Sequence, residues 1–173
     1  MFSKTLLQPN VVLGQTILGL TPDLLKAYGL KGMILDVDET LVPFRRSAIS
    51  GDLKAWLEQI KPLVSLWLVS NNTSDARIRA IAESMDVPYL AGALKPSRRK
   101  LRQALTAMNL PAAEVAMVGD RLFTDVLAGN RLGMLTIWVE PIEEDNRPSP
   151  KQAIRNTEIW VSELLGVSVK PSP

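Results

Sequence analysis

The stretch Gly32-Met33-Ile34-Leu35-Asp36-Val37-Asp38-Glu39-Thr40 decides the fold. A short apolar run ends abruptly in carboxylates. Such a run reads as a strand buried on both faces, whose C-terminal end meets solvent where the acids begin. Downstream, Ser50 to Ile60 carries Leu53, Trp56, Leu57 and Ile60 at helical spacing, and Pro62 stops it. Val64–Val69 reads as a strand ending at Ser70-Asn71-Asn72, Ser74–Met85 as a helix and Val87–Leu90 as a strand. Pro96–Met108 reads as a basic helix and Glu114–Val118 as a strand running into Gly119-Asp120. Leu122–Leu132 is the next helix, closed by Gly133, and Met134–Val139 the next strand. Upstream, Thr21-Pro22-Asp23 opens a short helix that Gly29 ends. Trp56 and Trp67 are expected in the core. Strands alternating with helices imply an α/β fold: a parallel sheet of about five strands, covered by helices on both faces.

In open parallel sheets, ligands bind beyond the C-terminal ends of the strands. The polar residues at those ends are Asp36 and Asp38, Ser70 and Asn71, and Asp120, with Lys95 on the approach to the basic helix. Four separate segments thus converge on one edge. Asp36 and Asp38 can turn into one crevice, one attacking an electrophile and the other handling the leaving group's proton. With Asp120 and Asp125 nearby, the acids would repel one another unless a cation sits among them, and oxygen ligands favour Mg²⁺. A hydroxyl (Ser70) and an ammonium (Lys95) pointing at an anion held against that cation suit phosphoryl transfer, whose transition state spreads charge over equatorial oxygens.

Composition narrows the chemistry. The chain has 173 residues with no histidine and no cysteine, so His- or Cys-based nucleophile pairs and zinc sites are excluded. Proton transfer falls to carboxylates, Lys or Tyr. The net charge of +2 argues against a nucleic-acid partner. Locally, Lys95–Arg102 is basic and Glu140–Arg147 acidic. The apolar stretch Val11–Leu20 is too short to span a bilayer, which takes about 20 apolar residues, and no cleavage site follows it. It is either an arm packed on the domain or an element lying on a membrane surface. The expected division is an apolar arm and short helix over 1–30, a catalytic core over 31–140, and a charged, Pro-containing extension over 141–173 packed on the core.

The residues Asp36-Val37-Asp38-Glu39-Thr40, Ser70, Lys95 in Leu94-Lys95-Pro96, and Gly119-Asp120 through Asp125 occur in an order that resembles the four motifs of the haloacid dehalogenase (HAD) superfamily of phosphatases. The resemblance covers Lys31 to Val139. It implies Asp36 as a nucleophile forming an aspartyl-phosphate, and Asp38 as the acid that protonates the leaving group and then activates water. It implies Mg²⁺ held by Asp36, the Asp38 carbonyl, Asp120 and Asp125, with Ser70 and Lys95 on the phosphoryl oxygens and Thr40 supporting the loop. Asp38 favours a phosphatase over a P-type pump, which carries Thr there, or a dehalogenase, which lacks this Asp. Asn71 and Asn72 are either phosphate-loop contacts or turn formers.

The short gaps after the first and second motifs leave no room for a cap domain. The whole chain is similar to the YqeG-like subfamily of HAD class IIIA, through Leu35–Pro43, Val69–Asn72, Ala93–Pro96, Thr124–Asn130 and the arm around Pro9. Mitochondrial-type phosphatidylglycerophosphate phosphatases are similar to that subfamily, which implies hydrolysis of a phospholipid headgroup. Arg45 and Arg46, and the basic helix, would then meet anionic headgroups. The expected location is the cytoplasm, with peripheral membrane contact. A phosphatase of a soluble ester and a non-catalytic module of the same fold are the competing readings.

Overall fold

Six parallel strands form one sheet in the order β1-β6-β5-β2-β3-β4. In chain order, the computed structural model contains α1 (Lys4–Leu7), β1 (Val11–Val12), α2 (Pro22–Ala27), β2 (Gly32–Leu35), α3 (Gly51–Ile60), β3 (Ser65–Val69), α4 (Asp75–Met85) and β4 (Tyr89–Leu90). Then come α5 (Arg99–Met108), β5 (Val115–Gly119), a π-helical turn (Leu122–Val126), α6 (Leu127–Asn130), β6 (Leu135–Trp138) and α7 (Gln152–Leu164). The structure describes residues 4–143 and 151–172. The second half of the acidic stretch Glu140–Arg147, residues 144–147, therefore lies outside the described residues.

Alternate residues of each central strand serve opposite cores, as the period of two demands. Met33 and Leu35 of β2, Leu66 and Leu68 of β3, and Ala116 and Val118 of β5 share one cluster with the inner faces of α3 and α4. Ile34, Val69, Val115 and Met117 point the other way, against Leu101 and Ala104 of α5 and Ala128 of α6. Local chemistry sets the helix ends. Ser50 accepts a hydrogen bond from the Leu53 amide to start α3, and Thr21 caps α2 ahead of Pro22. Asp86 and Asn109, both left-handed, end α4 and α5. Trp56 is buried and its indole donates to the Leu20 carbonyl, whereas Trp67 is half-buried against the second core.

Three features differ from the sequence reading. The sheet has a sixth strand, because the apolar arm supplies β1, paired to β6 as Val11↔Ile137 and Val12↔Trp138. Leu7, Val11, Val12, Ile17 and Leu20 are all buried, so most of the arm's apolar surface packs on the domain, with Leu18 left exposed. The tail, read as a charged, Pro-containing extension, contains the 13-residue α7. Among the described residues, no helix is long and apolar enough to cross a membrane.

The chain leaves β2 toward β3 and β4 on one side and returns to β5 and β6 on the other. The strand order thus reverses between β2 and β5, which opens a crevice at their carboxyl ends. Nothing larger than a loop joins β2 to α3 among the described residues, so that crevice has no cap.

Candidate active site

Just past β2 the chain turns sharply. The Leu41 and Val42 amides donate to the Val37 carbonyl, the Glu39 amide donates to the Val42 carbonyl, and Glu39 takes a left-handed φ of 69°. That turn aims Asp36 and Asp38 into one cleft of about 320 Å³, also lined by Phe44, Ser70, Asn71, Asn72, Lys95, Arg121, Thr124 and Lys151.

Lys95 is the electrostatic centre. Its Nζ lies 2.7 Å from Asp36 Oδ1 and 2.7 Å from Asp125 Oδ1, fully enclosed. Asn71 holds the Lys95 backbone at both ends, accepting from its amide at 2.6 Å and donating to its carbonyl at 3.0 Å. Burial pulls the Lys95 ammonium down, but Asp125 and Asp36 outweigh it and hold the group above the ordinary lysine range. It is a permanent cation at neutral pH.

Asp125 reaches the cleft because the π-helical turn carries it back over β5. Its Oδ2 accepts from the Arg121 amide at 3.2 Å. Gly119 makes this approach feasible, since a Cβ there would lie 2.3 Å from Asp125 Oδ2. The Asp120 carbonyl accepts from the Trp138 indole at 2.7 Å, which fixes the backbone from the β6 side. Thr40 donates to Asp120 Oδ1 at 3.4 Å, matching its expected supporting role in the loop.

Asp36, Asp120 and Asp125 each offer a carboxylate oxygen within 4.8 Å of the others, all buried. Burial, then the neighbouring Asp36, Asp125 and Glu39, push the Asp120 carboxyl well above its usual range. Burial also raises Asp36, with Lys95 opposing it and Asp125 adding to it. Asp120 Oδ2 is buried without a hydrogen-bond partner among the described residues. An orphaned carboxylate oxygen beside two others, in a chain with no histidine or cysteine to add nitrogen or sulfur ligands, fits a hard divalent cation.

Asp38 belongs to a different group. Its Oδ1 accepts from Arg77 of α4 at 2.5 Å, and its Oδ2 accepts from Asn72 at 3.0 Å and faces Lys151 Nζ at 3.6 Å. Its side chain is therefore kept away from the three clustered carboxylates. Ser70 is buried at the end of β3 and accepts from the Asn72 amide at 3.1 Å.

Sequence reasoning missed Arg77 and Lys151, and gave Arg121 no role. Arg77 carried one signal: a cation in the first turn of a helix opposes the dipole and asks for an anionic partner. Arg45 and Arg46, expected at the substrate, are exposed and do not line the cleft, whereas Arg77 points inward and donates to the Arg46 carbonyl at 2.7 Å.

Comparison with known proteins follows this geometry. Residues 93–159 match the family described as HAD-hydrolase-like. The chain is 36% identical over 129 residues to "Probable phosphatase YqeG" of Bacillus subtilis, covering 74% of each protein. The chain belongs to the YqeG-like HAD phosphatases. It is also 31% identical over 157 residues to the chloroplastic phosphatidylglycerophosphate phosphatase 1 of Chlamydomonas reinhardtii, covering 85% of this chain and 58% of that protein. A solved HAD-like structure from Mesorhizobium loti, 18% identical, shares the fold with a TM-score of 0.51 and covers 82% of this chain and 90% of that one. As a HAD phosphatase, the chain uses the crevice beyond β2 and β5 as its candidate catalytic centre.

Proposed function

We propose that this HAD phosphatase is a Mg²⁺-dependent phosphatidylglycerophosphate phosphatase working through an aspartyl-phosphate on Asp36. The carrying observation is the split of the carboxylates into two groups: Asp36 clustered with Asp120 and Asp125 around Lys95, and Asp38 turned aside to Arg77 and Asn72. One group suits nucleophile and cation, the other proton transfer.

Asp36 attacks phosphorus, and the bond to the ester oxygen breaks. The leaving alkoxide takes its proton from Asp38, whose contacts hold it apart from the nucleophile. Water then attacks phosphorus, passing a proton back to Asp38 while the bond to Asp36 breaks, and inorganic phosphate leaves. Lys95 and the Ser70 hydroxyl face the phosphoryl oxygens, and Lys95 also offsets the charge on Asp36. Asp36, Asp120, Asp125 and the Asp38 carbonyl would hold Mg²⁺, which supplies positive charge to the nucleophile and to the phosphoryl group. Asn71 acts through the Lys95 backbone.

The lipid substrate is supported by the likeness to the Chlamydomonas enzyme over most of this chain and by an uncapped cleft that accepts a bulky ester. The test is Mg²⁺-dependent phosphate release from phosphatidylglycerophosphate in mixed micelles, with soluble phosphomonoesters in parallel and Asp36→Asn as the control. The reading expects strong preference for the lipid and no turnover by Asp36→Asn. Release only from soluble esters would discard the lipid, and full activity of Asp36→Asn would discard the nucleophile.

A further inference from the structure

Helix α7 is built inside out. Its buried positions are Arg155, Glu158 and Ser162, with Ile159 packed beside them. Its large apolar side chains point outward, flanked by the exposed Asn156 and Glu163: Ile154, Trp160 and Leu164 are 50%, 61% and 68% exposed, and Leu165 at the C-cap is exposed too. On the helical period these side chains, with Ala153, Thr157 and Val161, fill one arc of about 140° that holds no charge. A surface helix ordinarily has the reverse arrangement. Of the eight large apolar side chains exposed among the described residues, four belong to α7 and its cap.

The inner contacts of α7 fix where that face looks. Arg155 stacks over the Trp138 ring at 4.7 Å and pairs with Glu140 at 2.8 Å, and Glu158 pairs with Arg121. Ile159 packs with Val12 and Leu122, and Lys151 at the N-cap faces Asp38. Val12 and Trp138 end their strands, while Asp38, Arg121 and Glu140 lie just beyond theirs. The helix therefore crosses the carboxyl edge of the sheet, and its apolar face looks outward on the side where the cleft opens. Leu94, 72% exposed, stands on the same edge beside Arg98 and Arg99, which open α5 with no acid in its first turn. Arg45 and Arg46 are exposed in the loop beyond β2.

We propose that this face docks on an anionic phospholipid bilayer, with the outer side of α7 and Leu94 in the interfacial layer and the cleft mouth opening among the headgroups. Charge favours a bilayer over a second copy of the chain. The exposed cations Arg45, Arg46 and Arg99 would meet their own kind across a two-fold contact, whereas anionic headgroups complement them. A tryptophan on an apolar face suits the membrane–water interface. The inference rests on the lipid reading of the cleft, yet its test needs no turnover.

The experiment uses the full chain and phosphatidylcholine vesicles with and without phosphatidylglycerol, neither lipid carrying a phosphomonoester. Co-sedimentation and tryptophan emission are compared for the wild type and Trp160→Ser/Leu164→Ser, with hydrolysis of p-nitrophenyl phosphate as the control for folding. The wild type is expected to bind the phosphatidylglycerol vesicles with a blue-shifted emission. The double variant is expected to bind them roughly tenfold or more weakly at unchanged soluble-ester activity. A wild type that stays in the supernatant, or a variant that binds equally, overturns the proposal. So does a wild-type dimer, seen by light scattering and abolished in the variant, without vesicle binding. Vesicle binding together with indifference to phosphatidylglycerophosphate would instead remove the substrate reading and leave the docking face standing.

Discussion

Asp36 and Asp38 are two residues apart, yet their surroundings separate them. Asp36 shares Lys95 with Asp125, and Asp38 is held by Arg77 and Asn72. Asp38→Asn keeps the size of the side chain and removes the proton it would carry. It is expected to lower kcat for alkyl phosphates by roughly 10²–10⁴-fold, and much less for p-nitrophenyl phosphate, whose leaving group departs without a proton. Equal losses on both esters would refute Asp38 as the acid, as steady-state kinetics would reveal. Asp36, Asp38, Ser70, Lys95, Asp120 and Asp125 were legible in the sequence because each follows a strand closely and the strand ends fix its place. Arg77 and Lys151 were not, since they reach the cleft from helices at distances along the chain that no local spacing encodes. Arg45 and Arg46 do not line the cleft, because adjacency to the catalytic loop in sequence says nothing about the direction in which a side chain leaves it.

The long, periodic helices and the strands β2, β3, β5 and β6 were readable because burial on both faces leaves an unbroken apolar run. β1 was not, because two valines in an arm carry no period, and only their pairing with Ile137 and Trp138 makes them a strand. α7 escaped a firm reading because its apolar residues face outward, so its periodicity predicts the wrong packing surface. Its attachment instead runs through the Arg121–Glu158 and Arg155–Glu140 pairs. Glu158→Ala leaves Arg121 half-buried without its carboxylate and is expected to cost about 2 kcal/mol, a fall in Tm of roughly 4–8 °C. It should also lower kcat by loosening the helix that carries Lys151 to Asp38. Calorimetry with parallel kinetics checks both, and an unchanged Tm would mean that the Arg121–Glu158 pair does not hold α7.

Across the whole molecule, three buried acids with one lysine leave the fold with uncompensated negative charge. Asp36 and Asp120 both hold their protons more tightly than free carboxylates do. The metal-free folded chain therefore binds more protons than the unfolded one, from the ordinary carboxylate range upward, and its stability falls as pH rises through that window. A divalent cation held by these carboxylates, as proposed, would replace those protons. Mg²⁺ is thus expected to raise Tm more at pH 8 than at pH 5, and chelation to undo the gain. Thermal scans with Mg²⁺ or a chelator at the two pH values decide the point, and an increment independent of pH would refute cation binding at these carboxylates.

The two ends of the described chain are also joined. The Ser172 amide donates to the Val12 carbonyl at 2.8 Å, and the Val12 amide donates to the Ser172 hydroxyl at 3.0 Å. β1 has its other neighbour in β6, more than a hundred residues later. During synthesis the arm therefore emerges before both of its partners and stays unpaired until β6 and Ser172 have been made. The strand that precedes the other five along the described chain is thus among the last to be paired.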